Sequence, residues 1–291
     1  MIKKGELLSY RVGKQMRIDA ADLEAYKQRA KGIANGQRLA EAEPPLTSPA
    51  PIQSYGIRPL VITGQDVSLD ILAKHIEKNI SGVRPLRSYV GSLDSLISMY
   101  KGESDIVSTH LLDGDTGEYN LPYIQRILVG SSYLVVNLLS RRAGLYVQQG
   151  NPYQLCNWND LKKNGLRLVN REKGSGARVL LDEQLRLHGI HPGQIEGYDS
   201  EESNHLGVAG KVASGDADVG IGIEKAASIV GNIEFIPLIQ ERYDLVFIKK
   251  AENLSWIDSI IRILKSEVFQ NELRAIPGYD LSLTGQVLYE T

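Results

Sequence analysis

The chain has 291 residues, 42% of them hydrophobic, enough for a proper core and about two domains. Its single cysteine, Cys156, excludes an intrachain disulfide. The most apolar stretch, "IQRILVGSSYLVVNLLSRR", is interrupted by Gly130, Ser131, Ser132 and Asn137, short of the roughly 18 apolar residues that span a membrane. The net charge of −2 argues against a nucleic-acid partner for the chain as a whole, but residues 1–38 carry nine Lys/Arg against four acids, a surplus of +5 that leaves −7 for the rest.

The basic piece reads as a helix end at Gly5, a hairpin and a helix. Leu8, Tyr10 and Val12 alternate up to a Gly13-Lys14 turn, and Met16 and Ile18 return from it. Asp19 is a fitting N-cap for "AADLEAYKQRA", whose Leu23 and Tyr26 share a face. Lys3, Lys4, Arg11, Lys14 and Arg17 are the candidate phosphate contacts, since phosphates attract cations whatever the base sequence. The alternative is a small solvated appendage with an ordinary charged surface. Pro44, Pro45, Pro49 and Pro51 then mark a semi-rigid linker. The expected organisation is residues 1–31, a linker at 32–56 and a sensor domain at 57–291.

From residue 57 onward apolar runs alternate with helical patterns. "RPLVITG", "LRSYVG", "ESDIVSTHLL", "ILVGSSYLVVNL", "LRLVNR", "ADVGIGI", "IEFIPLI" and "YDLVFIKK" read as short buried strands, with amphipathic stretches such as "SLDILAKHIEKNI" and "DSLISMYKG" between them. That pattern is α/β. Ligands in open α/β sheets bind beyond the carboxyl ends of the strands, which directs attention to the loops at 63–69, 91–95, 108–120 and 170–178.

The last of these, "NREKGSGAR", sets Ser175 between two glycines at the start of a helix. Small residues let the backbone approach a ligand, and the unpaired N–H groups of a helix start carry partial positive charge, so the loop reads as an anion cradle. No Lys-Ser or Lys-Thr pair follows, as a nucleotide P-loop requires, and the spacing is not the dinucleotide fingerprint, so a small anion is expected. The competing reading makes Ser175 a plain helix cap and the glycines a turn. In the cradle reading the backbone N–H groups of Ser175, Gly176 and Ala177 hold the anion with help from Arg178, and Thr63, Gly64 and Ser92 approach from the other side.

Two resemblances add to this. "GELLSYRVGKQMRIDAADLEAYK" resembles the carboxy-terminal half of the excisionase-type winged helix-turn-helix, whose first two helices would precede Met1; duplex binding by this sequence is accordingly expected to be weak and salt-sensitive. The stretches "GSLDSLISMYKGESDIVSTHLLDGDTGEYN", "GLYVQQGNPYQLCNWNDL", "LVNREKGSGARVLLDEQL", "GYDSEESNHLGVAGKVASGDADVGIGI" and "FIPLIQERYDLV" resemble the domain similar to type II periplasmic binding proteins that occurs fused to helix-turn-helix modules or to molybdopterin-biosynthesis proteins. That resemblance implies two α/β lobes joined by crossing strands: one of about 57–135 and 240–291, the other of about 136–239. It implies an oxyanion such as molybdate or tungstate between them, and a homodimer. Ala177 departs from the usual "GSGTR" form, and Asn204 stands where threonine often precedes the histidine.

Some residues keep two readings. Arg178 either offers its charged fork to the ligand or pairs with Asp182 one turn on. His205 either faces the cleft as a donor or is a capped surface histidine, and the strand end at "STHLL" either presents His110 or Thr109 to the cleft or turns His110 inward as a satisfied core histidine. His188 and His191 have no third ligand nearby for a metal. Ser175, His205 and an acid would make a nucleophilic set, but "GSGAR" is not the strained G-x-S-x-G elbow, so no enzyme activity and no cofactor are expected. The sequence therefore reads as a cytoplasmic, ligand-responsive transcriptional regulator. The alternative is a binding module without DNA contact, for an anion or a molybdenum-cofactor precursor.

Overall fold

A computed structural model describes Tyr10–Val12, Gln15–Ile18 and residues 57–291. The chain divides into two units, Met1–Ser54 and Tyr55–Thr291. In the first, β1 (Tyr10–Val12) and β2 (Gln15–Arg17) form an antiparallel hairpin with Tyr10 opposite Arg17 and Val12 opposite Gln15, the register expected from the alternation. Arg11 and Arg17 lie on these strands. The remainder of the winged-helix resemblance, the linker, and Lys3, Lys4 and Lys14 fall outside the described residues.

The second unit runs β3 (Arg58–Thr63), α1 (Ser68–Asn79), β4 (Val83–Ser88), α2 (Ser92–Tyr100), β5 (Ile106–Thr109), α3 (Leu121–Ile127), β6 (Tyr133–Gln148), β7 (Leu168–Arg171), α4 (Gly176–Leu187), β8 (Glu201–Glu202), α5 (His205–Ala213), β9 (Val219–Ile223), α6 (Glu224–Val230), β10 (Ile233–Ile248), α7 (Leu254–Leu264), α8 (Glu267–Arg274), β11 (Tyr279–Asp280) and β12 (Val287–Glu290). In several helices the apolar residues fall on one stripe and a polar group closes the first turn. In α1, Leu69, Leu72, Ala73 and Ile76 are buried and the Asp66 carboxylate accepts the N–H of Ser68 at 2.8 Å. In α4, Leu180, Leu181 and Leu185 are buried and the Ser175 hydroxyl accepts from Arg178 N.

The strand order is β4-β3-β5-β10-β6-β9-β7-β8, with β11 and β12 also on β6. The sequence suggested two strands between 233 and 250, and one that ended near Leu138. Instead β6 and β10 are single long antiparallel strands, paired from Tyr133–Ile248 to Gln148–Ile233. The polar run Gln240-Glu241-Arg242 lies between the two apolar runs; the ladder continues through it, with register shifts at Pro237/Ile239 and Tyr243/Asp244. One half of this ribbon pairs with β5 and the other with β9, so the two strands cross between two lobes. Each lobe has its own cores, built for example around Leu60, Ile62, Leu72 and Phe247 in the first, and Leu145, Leu168, Leu181 and Ile221 in the second. The carboxyl ends of β3, β4, β5, β7, β8 and β9 face the gap between the lobes, as open α/β sheets place their sites.

Candidate anion site between the lobes

A cavity of about 320 Å³ lies between the lobes. The first lobe supplies Gly64, Gln65, Asp66, Val67, Val90, Gly91, Ser92 and His110; the second supplies Arg171, Ser175, Gly176, Asn204, His205, Leu206, Ile223, Lys225, Ala226 and Ile229; Arg141 and Tyr243 come from the crossing strands. The starts of α2, α4 and α5 converge here. Ser92 and Gly176, first residues of their helices, have backbone N–H groups with no partner among the described residues. The Asn204 side chain caps α5 by accepting from Gly207 N at 2.8 Å, so the helix start at His205 expected from the sequence is present.

Six of the ten expected ligand residues line the cavity: Gly64, Ser92, His110, Ser175, Gly176 and His205. Four do not. Thr63 is buried with its hydroxyl donating to Ile106 O at 3.4 Å, and Thr109 is buried with its hydroxyl unpartnered among the described residues. Between Thr109 and His110, it is His110 that reaches the cavity. Ala177 packs into the core of the second lobe. Arg178 is two residues beyond Gly176, about 200° around the helix, and so turns the other way. Its guanidinium pairs with Asp182 at 3.2 Å and Glu201 at 2.9 Å, donates to Arg171 O, and lies 4.3 Å over the Tyr198 ring. It holds α4 against β8.

The charged groups lining the cavity are Asp66, Lys225 and two guanidiniums, Arg141 and Arg171, which are only 3% and 2% exposed. Arg141 is ion-paired through Nη1 to Asp66 and through Nε to Glu241, its cross-strand partner, and stacks 4.5 Å over Tyr243. Arg171 donates through Nε to Glu172 and Glu202 O, and through Nη2 to Gln65, Glu172 and Ser203 O. These bonds leave Nη2 of Arg141 and Nη1 of Arg171 without a protein partner among the described residues. Burial alone would raise the Asp66 pKa, but Arg141 and the hydrogen bonds from Ser68 and Tyr279 outweigh it and hold the carboxyl below its usual range. For Glu241 burial dominates over Arg141, and its pKa is raised.

In both cavity histidines the surroundings disfavour the charged form. Burial, then the cations Arg141 and Arg171, push His110 well below its ordinary value; burial, Arg171, Arg141 and His110 do the same to His205. His110 Nδ1 meets Ser92 Oγ at 3.0 Å and its ring packs on Tyr243, whereas His205 Nδ1 is buried without a partner among the described residues. His188 and His191 are engaged locally, by Gln184 O and Gly193 N.

The lobes meet directly around this cavity. Leu93 N donates to Gly174 O at 3.0 Å, Arg171 Nη2 to Gln65 Oε1 at 2.5 Å, and Gln65 Nε2 to Glu172 Oε1 at 3.0 Å. The structure is thus a closed form. Arg141 was not apparent as a site residue because it lies mid-strand, and only the ladder brings it to Glu241. The available signal was "SRR" and "QER" interrupting otherwise apolar runs.

Two lobes, two crossing strands and helix starts aimed into the cleft describe a binding-protein architecture, and a family model for the PBP superfamily domain matches residues 73–265. The chain belongs to the PBP superfamily. Among relatives of this PBP-superfamily chain, the uncharacterized protein YvgK of Bacillus subtilis is 47% identical over 296 residues, spanning all of this chain and 92% of that protein. Among solved structures, the tungstate ABC transporter from Geobacter sulfurreducens covers 76% of this chain and 99% of its own, at 10% identity and a TM-score of 0.56. The CcmR regulatory domain of Synechocystis in complex with 2-PG covers 72% and 98%, at 12% identity and a TM-score of 0.51. These likenesses concern the fold. No helix among the described residues is long and apolar enough to cross a membrane.

Proposed function

We propose that the two-lobe domain is a receptor that closes on a small anionic ligand, an oxyanion of the molybdate or tungstate type or a related acidic group. The observation that carries this is the pair of buried guanidiniums, Arg141 and Arg171, each with one Nη free of partners among the described residues at the wall of the cavity. Buried charged donors are costly unless something accepts from them, and an anion does. The free N–H groups of Ser92 and Gly176, and the neutral His110 and His205, add directional donors from both lobes, so the ligand favours the closed form over the open one. The reading is of a binder rather than an enzyme: the Ser175 hydroxyl serves as a helix cap, accepting from Arg178 N at 3.3 Å.

The wider proposal is a cytoplasmic transcriptional regulator, acting as a homodimer, in which closure repositions the basic hairpin on duplex DNA. Its support is the +5 surplus of residues 1–38, the β1-β2 hairpin, and the fold shared with the CcmR regulatory domain. Melting scans and calorimetry on ligand-free protein with molybdate, tungstate, sulfate, phosphate and small organic anions test the receptor. A ligand at about 100 times its Kd raises stability by about 2.7 kcal/mol. If no anion of any kind shifts the melt, the receptor reading is wrong. Gel-shift assays with and without the bound anion test the regulator.

A further inference from the structure

The cavity offers more room, and a more apolar mouth, than an inorganic ion uses. Its 320 Å³ accommodates about ten water-sized atoms at ~30 Å³ each, whereas a tetrahedral oxyanion is one central atom with its oxygens. The charges sit at the buried floor, Arg141 and Arg171 at 3% and 2% exposure, while at the mouth Leu206 and Ile229 are 46% and 59% exposed. Val67, Val90 and Ala226 continue that apolar wall on both sides of the cleft. Nor does the floor carry a surplus of positive charge. Arg141 is ion-paired with Asp66 and Glu241 and Arg171 with Glu172, so these three carboxylates, of which Asp66 itself lines the cavity, offset the two guanidiniums and Lys225 at the wall. A bare dianion would gain only directional hydrogen bonds there and would leave the apolar mouth in contact with water.

Building on the anion-receptor reading, we propose that the natural ligand is an organic anion: a carboxylate or phosphate head on the arginine floor, joined to an aliphatic or aromatic body that lies between Val67 and Val90 of one lobe and Leu206 and Ile229 of the other. The body covers the exposed side chains and completes closure by hydrophobic contact from both lobes. The head supplies orientation, and the body supplies most of the affinity and selectivity.

The test is a paired affinity series on full-length, ligand-free protein by calorimetry: inorganic phosphate against butyl and phenyl phosphate, acetate against hexanoate and benzoate, with molybdate and tungstate beside them. The two head groups distinguish phosphate esters from carboxylic acids as the source of the anion. In at least one series the member with the apolar body should bind about thirtyfold tighter than its bare counterpart. In Leu206→Ser and Ile229→Ser, whose side chains are too exposed to threaten folding, that ratio should shrink several-fold. If an inorganic anion binds at least as tightly as every body-bearing compound, or if the two variants leave the ratio unchanged, the organic-ligand inference is overturned while the receptor stands. If nothing binds, the receptor reading itself falls.

Discussion

Gly91 of one lobe and Gly174 of the other approach so closely that a Cβ on Gly91 would lie 2.9 Å from the Gly174 carbonyl oxygen, the same oxygen that accepts the Leu93 N–H. Neither position tolerates a larger residue, for different reasons: Gly174 adopts φ +85°, and Gly91 has ordinary φ but no space. Backbone meets backbone here, so no flexible side chain can give way. Gly91→Ala should therefore leave each lobe folded and oppose closure. Ligand affinity should fall about tenfold, equivalent to about 1.4 kcal/mol, with little change in the ligand-free melting temperature. Small-angle scattering should show a more open molecule, and unchanged affinity would mean that this contact does not govern closure.

Ser175→Asp separates the cap from the cradle. Aspartate caps a helix as well as serine, so stability should move by less than about 1 kcal/mol, but a carboxylate beside the floor repels an anion and occupies its donors. Binding should drop at least a hundredfold. Arg178→Ala should do the opposite, because its partners are Asp182, Glu201 and Tyr198 rather than the cavity. A loss of about 1 to 3 kcal/mol in chemical denaturation, with affinity little changed, is expected. An Arg178→Ala protein of normal stability that fails to bind would restore Arg178 to the site.

Arg141→Met strands Asp66 and Glu241 without their counter-ion inside the crossing ribbon. Removing one partner of a buried ionic cluster costs about 3 to 5 kcal/mol. Adding Asp66→Asn and Glu241→Gln should recover much of that stability without restoring anion binding. Recovery of binding in the triple variant would show that Arg141 does not hold the ligand.

The histidines set a pH dependence. His110 and His205 stay neutral in the folded chain below their ordinary value of 6.5, while the unfolded chain takes up protons there. Their contribution to stability is thus complete above pH 6.5 and is lost as pH falls toward the folded-state values. The urea midpoint should decline from pH 7 to pH 5, and less steeply in a His110→Gln, His205→Gln double variant. An equally steep decline in that variant would assign the dependence to other groups.

The α/β class, the alternation that makes the β1-β2 hairpin, the capped starts of α4 and α5 and the small-residue loops around the cleft are local properties, fixed by periodicity and by side chains a few residues apart. They were legible in the chain. Which face of a loop or helix turned toward the ligand was not. Arg178 and Gly176 are two residues apart in the motif, yet the helical turn sends one to Tyr198 and the other against His110, where a Cβ would lie 2.2 Å from the ring. Arg141 and Glu241 are a hundred residues apart, and each by itself looks like a polar interruption of a strand. Only the pairing of β6 with β10 places them opposite each other, since a buried charge is tolerable solely where the tertiary fold supplies its counter-charge.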